Sequence, residues 1–261
     1  MKTFFSFGDS YTTHYLNLDT LTYPDPNEVS STNGYNWVNY FTKNNNLTSW
    51  DLAYNSAPIE NDLVHQDPKV IDLNQQITEI FPNYFLKNQK WASDETLYGM
   101  WIGINDIGLM ATRNDTASLY ELMNKYQELI AYLYKNNARN FIVINIPPIE
   151  HSPKWSNEKT FDDIRKLVKG FNQKLSVLVR FLRVVKGYNI KLIDSYEILT
   201  DVIDHPAKYN IKDVKNTCPD WKHPEEHGCL PINEYFWFNN VHLTSRVHEI
   251  IADKIKAELS Q

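Results

Sequence analysis

The sequence has no long apolar run, no basic block and almost no cysteine, and each lack narrows what the chain can be. No stretch approaches the roughly 20 consecutive apolar residues that a membrane-crossing helix needs, so insertion into a bilayer is not expected. The formal net charge is −6, from 26 Lys and Arg against 32 Asp and Glu. Without clustered cations to neutralise phosphates, nucleic acid is not an expected partner. No secretory h-region opens the chain, because the polar Gly8, Asp9 and Ser10 arrive too early. Two compartments follow: the exterior, with a leader absent from this chain, or the cytoplasm. The two cysteines, Cys218 and Cys229, lack CxxC spacing and make a poor zinc site. Spacing alone leaves a local disulfide and two free thiols both open. Repeats, low-complexity tracts and inter-domain linkers are also lacking, so residues 1–261 are expected to form one domain, and the protein is expected to be a monomer.

What is present is apolar and aromatic. Hydrophobic residues make up 42% and aromatics 13%, including 7 Trp and 16 Tyr. That is enough for a full core, and it suits contacts with sugars or acyl groups. Short apolar runs bounded by turn residues read as strands buried on both faces: Thr3 to Phe7, Leu52 to Tyr54, Thr96 to Ile102, Phe141 to Ile146 and Asn189 to Ile193. Three- and four-residue spacing of apolar positions predicts helices over Ser118 to Lys135, Phe161 to Val185 and Ser245 to Leu259. Alternating strands and helices imply an α/β fold, a parallel sheet covered by helices on both sides. The segment from Tyr23 to Asn36, rich in Pro, Asn and Ser, reads as a surface loop.

Three short stretches carry chemistry. Ser10 follows the first strand directly, within Phe5-Ser6-Phe7-Gly8-Asp9-Ser10. Ligands of open parallel sheets gather beyond the carboxyl ends of the strands, and a glycine there permits a sharp turn. Taken alone, Ser10 reads equally as a helix cap. Gly103-Ile104-Asn105-Asp106 lies just past the third strand; the Asn105 amide can offer N–H to a developing oxyanion, and the same residues also suit a plain turn. His242 precedes the last helix and by itself reads as a surface or capping residue. The other seven histidines carry no signal.

Order and spacing change that reading. Phe5-Ser6-Phe7-Gly8-Asp9-Ser10-Tyr11, Trp101-Ile102-Gly103-Ile104-Asn105-Asp106-Ile107-Gly108 and Glu234 through His242 resemble three blocks of the SGNH/GDSL hydrolases. Asp51 to Ala57, Asn33 to Val38, Ile146-Pro147-Pro148 and the paired cysteines resemble a fungal-type branch that includes carbohydrate acetylesterases. The resemblance implies a flavodoxin-like α/β/α sandwich with five parallel strands. It implies Ser10 as nucleophile and His242 as general base. The Ser10 N–H, the Ser56 N–H and the Asn105 side chain would form the oxyanion hole, with Asp9, Gly103 and Asp106 in support. It implies no metal or organic cofactor, and a small-molecule or oligosaccharide ester as substrate. The branch also points to secretion, a Cys218–Cys229 disulfide, and glycosylation at the acceptor triplets of Asn46 and Asn114.

Three positions depart from the family pattern. Ser56 stands where the oxyanion-hole glycine falls, which keeps the N–H but loses freedom if the backbone needs positive φ. Asn239 stands at the triad acid, where a neutral amide lacks the charge that stabilises an imidazolium and can select the wrong tautomer. Leu243 replaces the proline after the histidine. A short-chain esterase, a catalytically impaired relative that binds acylated ligands, and a GDSL lipase or phospholipase therefore all remain open. No basic amphipathic helix or apolar lid is read in the sequence, which places lipid below sugar acetate.

Overall fold

Five strands form one parallel sheet: β1 (Thr3–Gly8), β2 (Thr48–Asp51), β3 (Thr96–Trp101), β4 (Asn140–Ile144) and β5 (Asn189–Ile193). The protein is described here from a computed structural model covering residues 1–27, 29–88, 91–113 and 118–260. Strand order is β2-β1-β3-β4-β5 with every pairing parallel, the flavodoxin-like order. Every residue of β1 and β3 is buried, as expected where helices cover both faces.

The two faces of β1 show how the layers assemble. Phe4 points to α1 (Trp37–Asn45), its ring 5.8 Å from that of Trp37 and 5.2 Å from that of Phe41. Phe5 points the other way and meets Phe81 and Phe85, each at 5.2 Å. The Phe4 ring also lies over Gly99 of β3, where an added Cβ would come within 2.5 Å of it. Among the described residues, five further helices of ten residues or more lie in the layers: α2 (Ile104–Arg113), α3 (Leu119–Lys135), α4 (Glu158–Val184), α5 (Ser195–Asp204) and α6 (Ser245–Leu259). Helices α1 and α5 pack on α6, while α2 and α3 pack on α4. Capping boxes start α1 at Asn36 and α3 at Ser118, each satisfying orphan N–H groups of a first turn.

Two expectations are corrected. The second strand occupies Thr48–Asp51 rather than Leu52 to Tyr54. It is a four-residue edge strand whose first residue is exposed, so no apolar run marks it. The apolar Leu52 and Ala53 belong to the buried segment that follows, where Leu52 and Tyr54 N–H groups still bond the carbonyls of Ser6 and Gly8. The second correction concerns α4, whose C-terminal half is basic and amphipathic. There Val177, Val184 and Val185 are each about two-thirds exposed, so part of its apolar pattern faces outward.

Beyond α5 the chain runs to α6 through short turns, pinned by a disulfide. Cys218 and Cys229 are bonded, with Cα atoms 5.6 Å apart. Within the closed loop, the Trp221 indole stacks on Phe238 at 5.9 Å and donates to the Phe238 carbonyl at 2.6 Å. Closing a loop of this length removes chain entropy worth about 3 kcal/mol from the unfolded state. The double variant Cys218→Ser/Cys229→Ser should therefore unfold in urea with a free energy about 2–3 kcal/mol lower; an unchanged midpoint would show that packing alone holds the loop.

Candidate active site

Ser10 sits in a tight turn built by the residues around it. Gly8 has φ +150°, and a Cβ there would lie 2.2 Å from the Trp101 carbonyl oxygen, so only glycine fits. The Asp9 carbonyl accepts the N–H groups of Thr12 and Thr13 at 3.0 Å. Its carboxylate accepts the Tyr11 N–H at 2.9 Å. Gln76, buried in a π-helical turn over Gln76–Ile80, clamps the strand end from behind. Its amide oxygen accepts the Gly8 N–H at 2.9 Å and its amide nitrogen donates to the Gly8 carbonyl at 2.9 Å. Ser10, at the carboxyl edge of β1, is left partly exposed.

His242 is carried by a loop between Trp237 and Leu243, which pair as an antiparallel bridge. Three contacts fix that loop, one of them to the turn at Ser10, one to Lys154 and one within the loop itself. The Tyr11 hydroxyl donates to the Val241 carbonyl, the Lys154 N–H donates to the Asn240 carbonyl at 2.9 Å, and the Phe238 N–H donates to the His242 carbonyl at 2.8 Å. His242 Nε2 then lies 2.8 Å from Ser10 Oγ.

The Asn239 amide defines the tautomer of His242. One terminal atom of that amide receives the Val241 N–H at 3.0 Å and the His242 N–H at 2.9 Å. Two donors converge on it, so it is the oxygen; a flipped amide would set its NH₂ against both. The same oxygen lies 3.1 Å from His242 Nδ1, which must therefore carry the proton. Nε2 is left as an acceptor facing the Ser10 hydroxyl. The wrong tautomer, a risk of asparagine at this position, is excluded by this network. Burial first, and the Lys154 charge second, lower the His242 pKa to about 4. The ring is thus neutral at neutral pH.

Asn105 and Asp106 open α2 beside β3, next to β1 in the sheet. The Asn105 side chain donates to the Ala57 carbonyl at 3.0 Å, and the Asp106 carboxylate accepts the Ile59 N–H at 3.1 Å. Together they tie down the loop that carries Ser56. Ser56 has φ +63°, the left-handed region that costs a non-glycine residue roughly 1–2 kcal/mol. The serine therefore keeps the backbone shape that glycine would adopt freely. Gly103, with φ +117°, leaves room for Phe171, whose ring would lie 2.7 Å from an added Cβ. Asp9 and Asp106 are fully buried, and desolvation raises both carboxyl pKa values to about 7. A cavity of about 200 Å³ opens beside Ser56, Asn105, Gly108, Thr112, Lys154 and Trp155. Of the glycosylation candidates, Asn46 is exposed at the C-cap of α1, and Asn114 lies outside the described residues.

The structure thus joins Ser10, His242 and Asn239 in one hydrogen-bonded chain and links Asn105 to the loop of Ser56. Two contributors escaped the sequence reading. Gln76 is far from any block and carries no motif. Tyr11 lies inside a block but shows its role only through contact with Val241, 230 residues on.

A serine hydroxyl bonded to a neutral imidazole, at the carboxyl edge of a 2-1-3-4-5 parallel sheet, has the layout of a serine hydrolase. The sequence matches the GDSL-like lipase/acylhydrolase family over residues 4–255, and the chain belongs to that family; it is a carboxylic ester hydrolase. Among relatives, it is 26% identical to an acetylesterase of Thermothelomyces thermophilus, over 97% of this chain and 87% of that one. It is 24% identical to the thermolabile hemolysin of Vibrio parahaemolyticus serotype O3:K6 (strain RIMD 2210633), over 95% of this chain but 61% of that one. The fold is shared with a carbohydrate acetylesterase of Sinorhizobium meliloti, at TM-score 0.54 and 14% identity, covering 99% of this chain and 100% of that one. A GDSL-like lipase of Parabacteroides merdae superposes with TM-score 0.59 at 12% identity, covering 99% and 95%.

Replacing Gln76 by alanine leaves the buried Gly8 N–H without its side-chain acceptor, which costs about 1–3 kcal/mol. Gln76→Ala should lower the urea unfolding free energy by at least that much and reduce esterase turnover as the Ser10 turn loosens. A variant as stable as the parent would mean that the clamp carries no weight.

Proposed function

We propose that the protein is a serine acetylesterase acting on short acyl esters of carbohydrates, with residues 1–261 as one catalytic domain. The observation that carries this reading is the 2.8 Å contact between Ser10 Oγ and a His242 ring whose Nδ1–H rests on the Asn239 amide oxygen. In the first step Ser10 Oγ attacks the ester carbonyl carbon while His242 Nε2 takes its proton. The carbonyl oxygen, now an oxyanion, is held by the Ser10 and Ser56 N–H groups and the Asn105 amide. Collapse expels the alcohol, which receives the proton from His242, and leaves an acyl-Ser10 ester. Water, deprotonated by His242, releases the acid and restores the serine.

The cavity beside Ser56 and Asn105, about 200 Å³, lies below the 300–1,000 Å³ usual for drug-sized ligands and favours an acetyl group over a long chain. The similarity to acetylesterases supports the same choice. The disulfide supports an exported protein, since disulfides persist in oxidising compartments. The test is release of p-nitrophenol from acetate, butyrate and octanoate esters. Acetate should be fastest, and Ser10→Ala should abolish both hydrolysis and labelling by a fluorophosphonate. Equal activity or labelling in Ser10→Ala would remove Ser10 from the reaction, and faster octanoate cleavage would move the protein to the lipases. Asn105→Ala should cut turnover by about 10² or more through loss of one oxyanion donor.

The buried His242 ring sets the pH dependence. The base must be neutral to accept a proton, so kcat/KM should rise with pH through about 4, the pKa of His242, and then level. Asn239 orients the ring correctly but puts no charge beside the imidazolium that forms. Aspartate, nearly the same shape, would accept the same three N–H groups and add that charge. Asn239→Asp should move the acidic limb to higher pH and raise turnover at least about tenfold, a barrier change of ~1.4 kcal/mol. Steady-state rates on an acetate ester across pH 3–8 decide it; an unmoved limb would show that His242 is not the titrating base.

A further inference from the structure

The C-terminal half of α4 presents a surface that the esterase site does not use. Val177, Phe181, Val184 and Val185 stand at i, i+4, i+7 and i+8, one stripe of a helix, and are 66%, 36%, 69% and 66% exposed. Tyr120 of α3, 67% exposed, extends the stripe. Between the two helices lies a groove of about 590 Å³, lined by Tyr120, Met123, Val177, Leu178 and Phe181. Contiguous apolar surface of this kind marks an interaction site more often than chance exposure does.

The charges that α4 places around the stripe are of one sign. Residues 164–188 hold seven Lys and Arg and no Asp or Glu, in a chain whose net charge is −6. Lys174, Arg180, Arg183 and Lys186 are all exposed and border the apolar residues, with Lys186 Nζ 5.8 Å from the centre of the Phe181 ring. None of the four forms an ion pair among the described residues. A second copy of this face is a poor partner, because a two-fold contact would set these four cations against four.

We propose that this face docks on an anionic bilayer surface. Apolar side chains at 177, 181, 184 and 185 would enter the headgroup boundary, while the bordering Lys and Arg meet acidic lipid headgroups. The acidic remainder of the chain is repelled from the same surface, so the orientation is fixed. Helix α4 leads from β4 back to β5, so its C-terminal half lies at the end of the sheet opposite to Ser10. Docking therefore leaves the ester site facing water. The inference is independent of the esterase reading.

The test is co-sedimentation of the protein with vesicles of phosphatidylcholine, with or without phosphatidylserine, at low and high salt. The protein should bind only the phosphatidylserine vesicles and release them as salt rises. Arg180→Gln/Arg183→Gln should weaken binding about fivefold for each charge removed. Phe181→Ser/Val184→Ser/Val185→Ser should abolish binding, while hydrolysis of a soluble acetate ester and the circular dichroism spectrum stay unchanged. Absence of binding to anionic vesicles, equal binding to neutral ones, or full binding by the serine variant would each overturn the proposal. So would a wild-type dimer that the serine variant dissociates, which would assign the face to self-association, or saturable binding of an acidic peptide in place of vesicles.

Discussion

Three N–H groups converge on the side-chain oxygen of Asn239: those of Val241 and His242 from the backbone, and Nδ1 of the His242 ring. The geometry of the Ser10–His242 pair follows from that convergence. The two backbone donors fix which end of the amide faces the ring, the amide fixes which ring nitrogen carries the proton, and the ring then offers Nε2 to Ser10. A carboxylate at this position would do the same with either oxygen and without regard to flipping. The amide does it only because the loop folds two of its own N–H groups onto one atom. The loop is in turn held by the Tyr11 hydroxyl and the Lys154 N–H, so orientation of the imidazole is distributed over residues from distant parts of the chain.

Burial governs the ionisable groups near the carboxyl edge of the sheet, and it acts in two directions. It raises the carboxyl pKa values of Asp9, Asp51 and Asp106 to about 7 and lowers His14 and His242 to about 4 and His248 to about 3. A raised carboxyl favours the folded state at low pH and loses that contribution as pH climbs through about 7. A lowered imidazole does the reverse: the unfolded chain takes up a proton below about 6.5 that the folded chain refuses, so stability falls as pH drops through that window. The two groups oppose each other over much the same range, which flattens the dependence of the fold on pH.

The long, strongly periodic elements were legible in the sequence. Asn189–Ile193 and Ser245–Leu259 fall where the pattern places them, and β1, β3, β4, α3 and α4 differ by a few residues at their ends. Short elements were not. The edge strand β2 has too little buried surface to show alternation, and α1, α2 and α5, of nine or ten residues, are too brief to repeat an apolar stripe convincingly. The grouping of Ser10 with His242 and Asn239 was legible through ordered blocks, because local backbone shape and side-chain chemistry coincide there. Gln76 was not, since a buried amide clamping a strand end depends on a tertiary contact 68 residues away. The outward apolar face of α4 was not read for a related reason: periodicity reports that a helix has an apolar side, and cannot report how much apolar surface the rest of the chain leaves uncovered.

The distance along the chain between Ser10 and His242, 232 residues, has a consequence for biosynthesis. The strand ahead of Ser10 is made before the other four strands and lies near the middle of the sheet, between β2 and β3. The imidazole arrives only after all five strands have been made. A nascent chain therefore carries the Ser10 hydroxyl without its imidazole partner until the last strand of the sheet has been made. A chain halted before residue 242 can hold every strand of the sheet and still lack the Ser10–His242 pair.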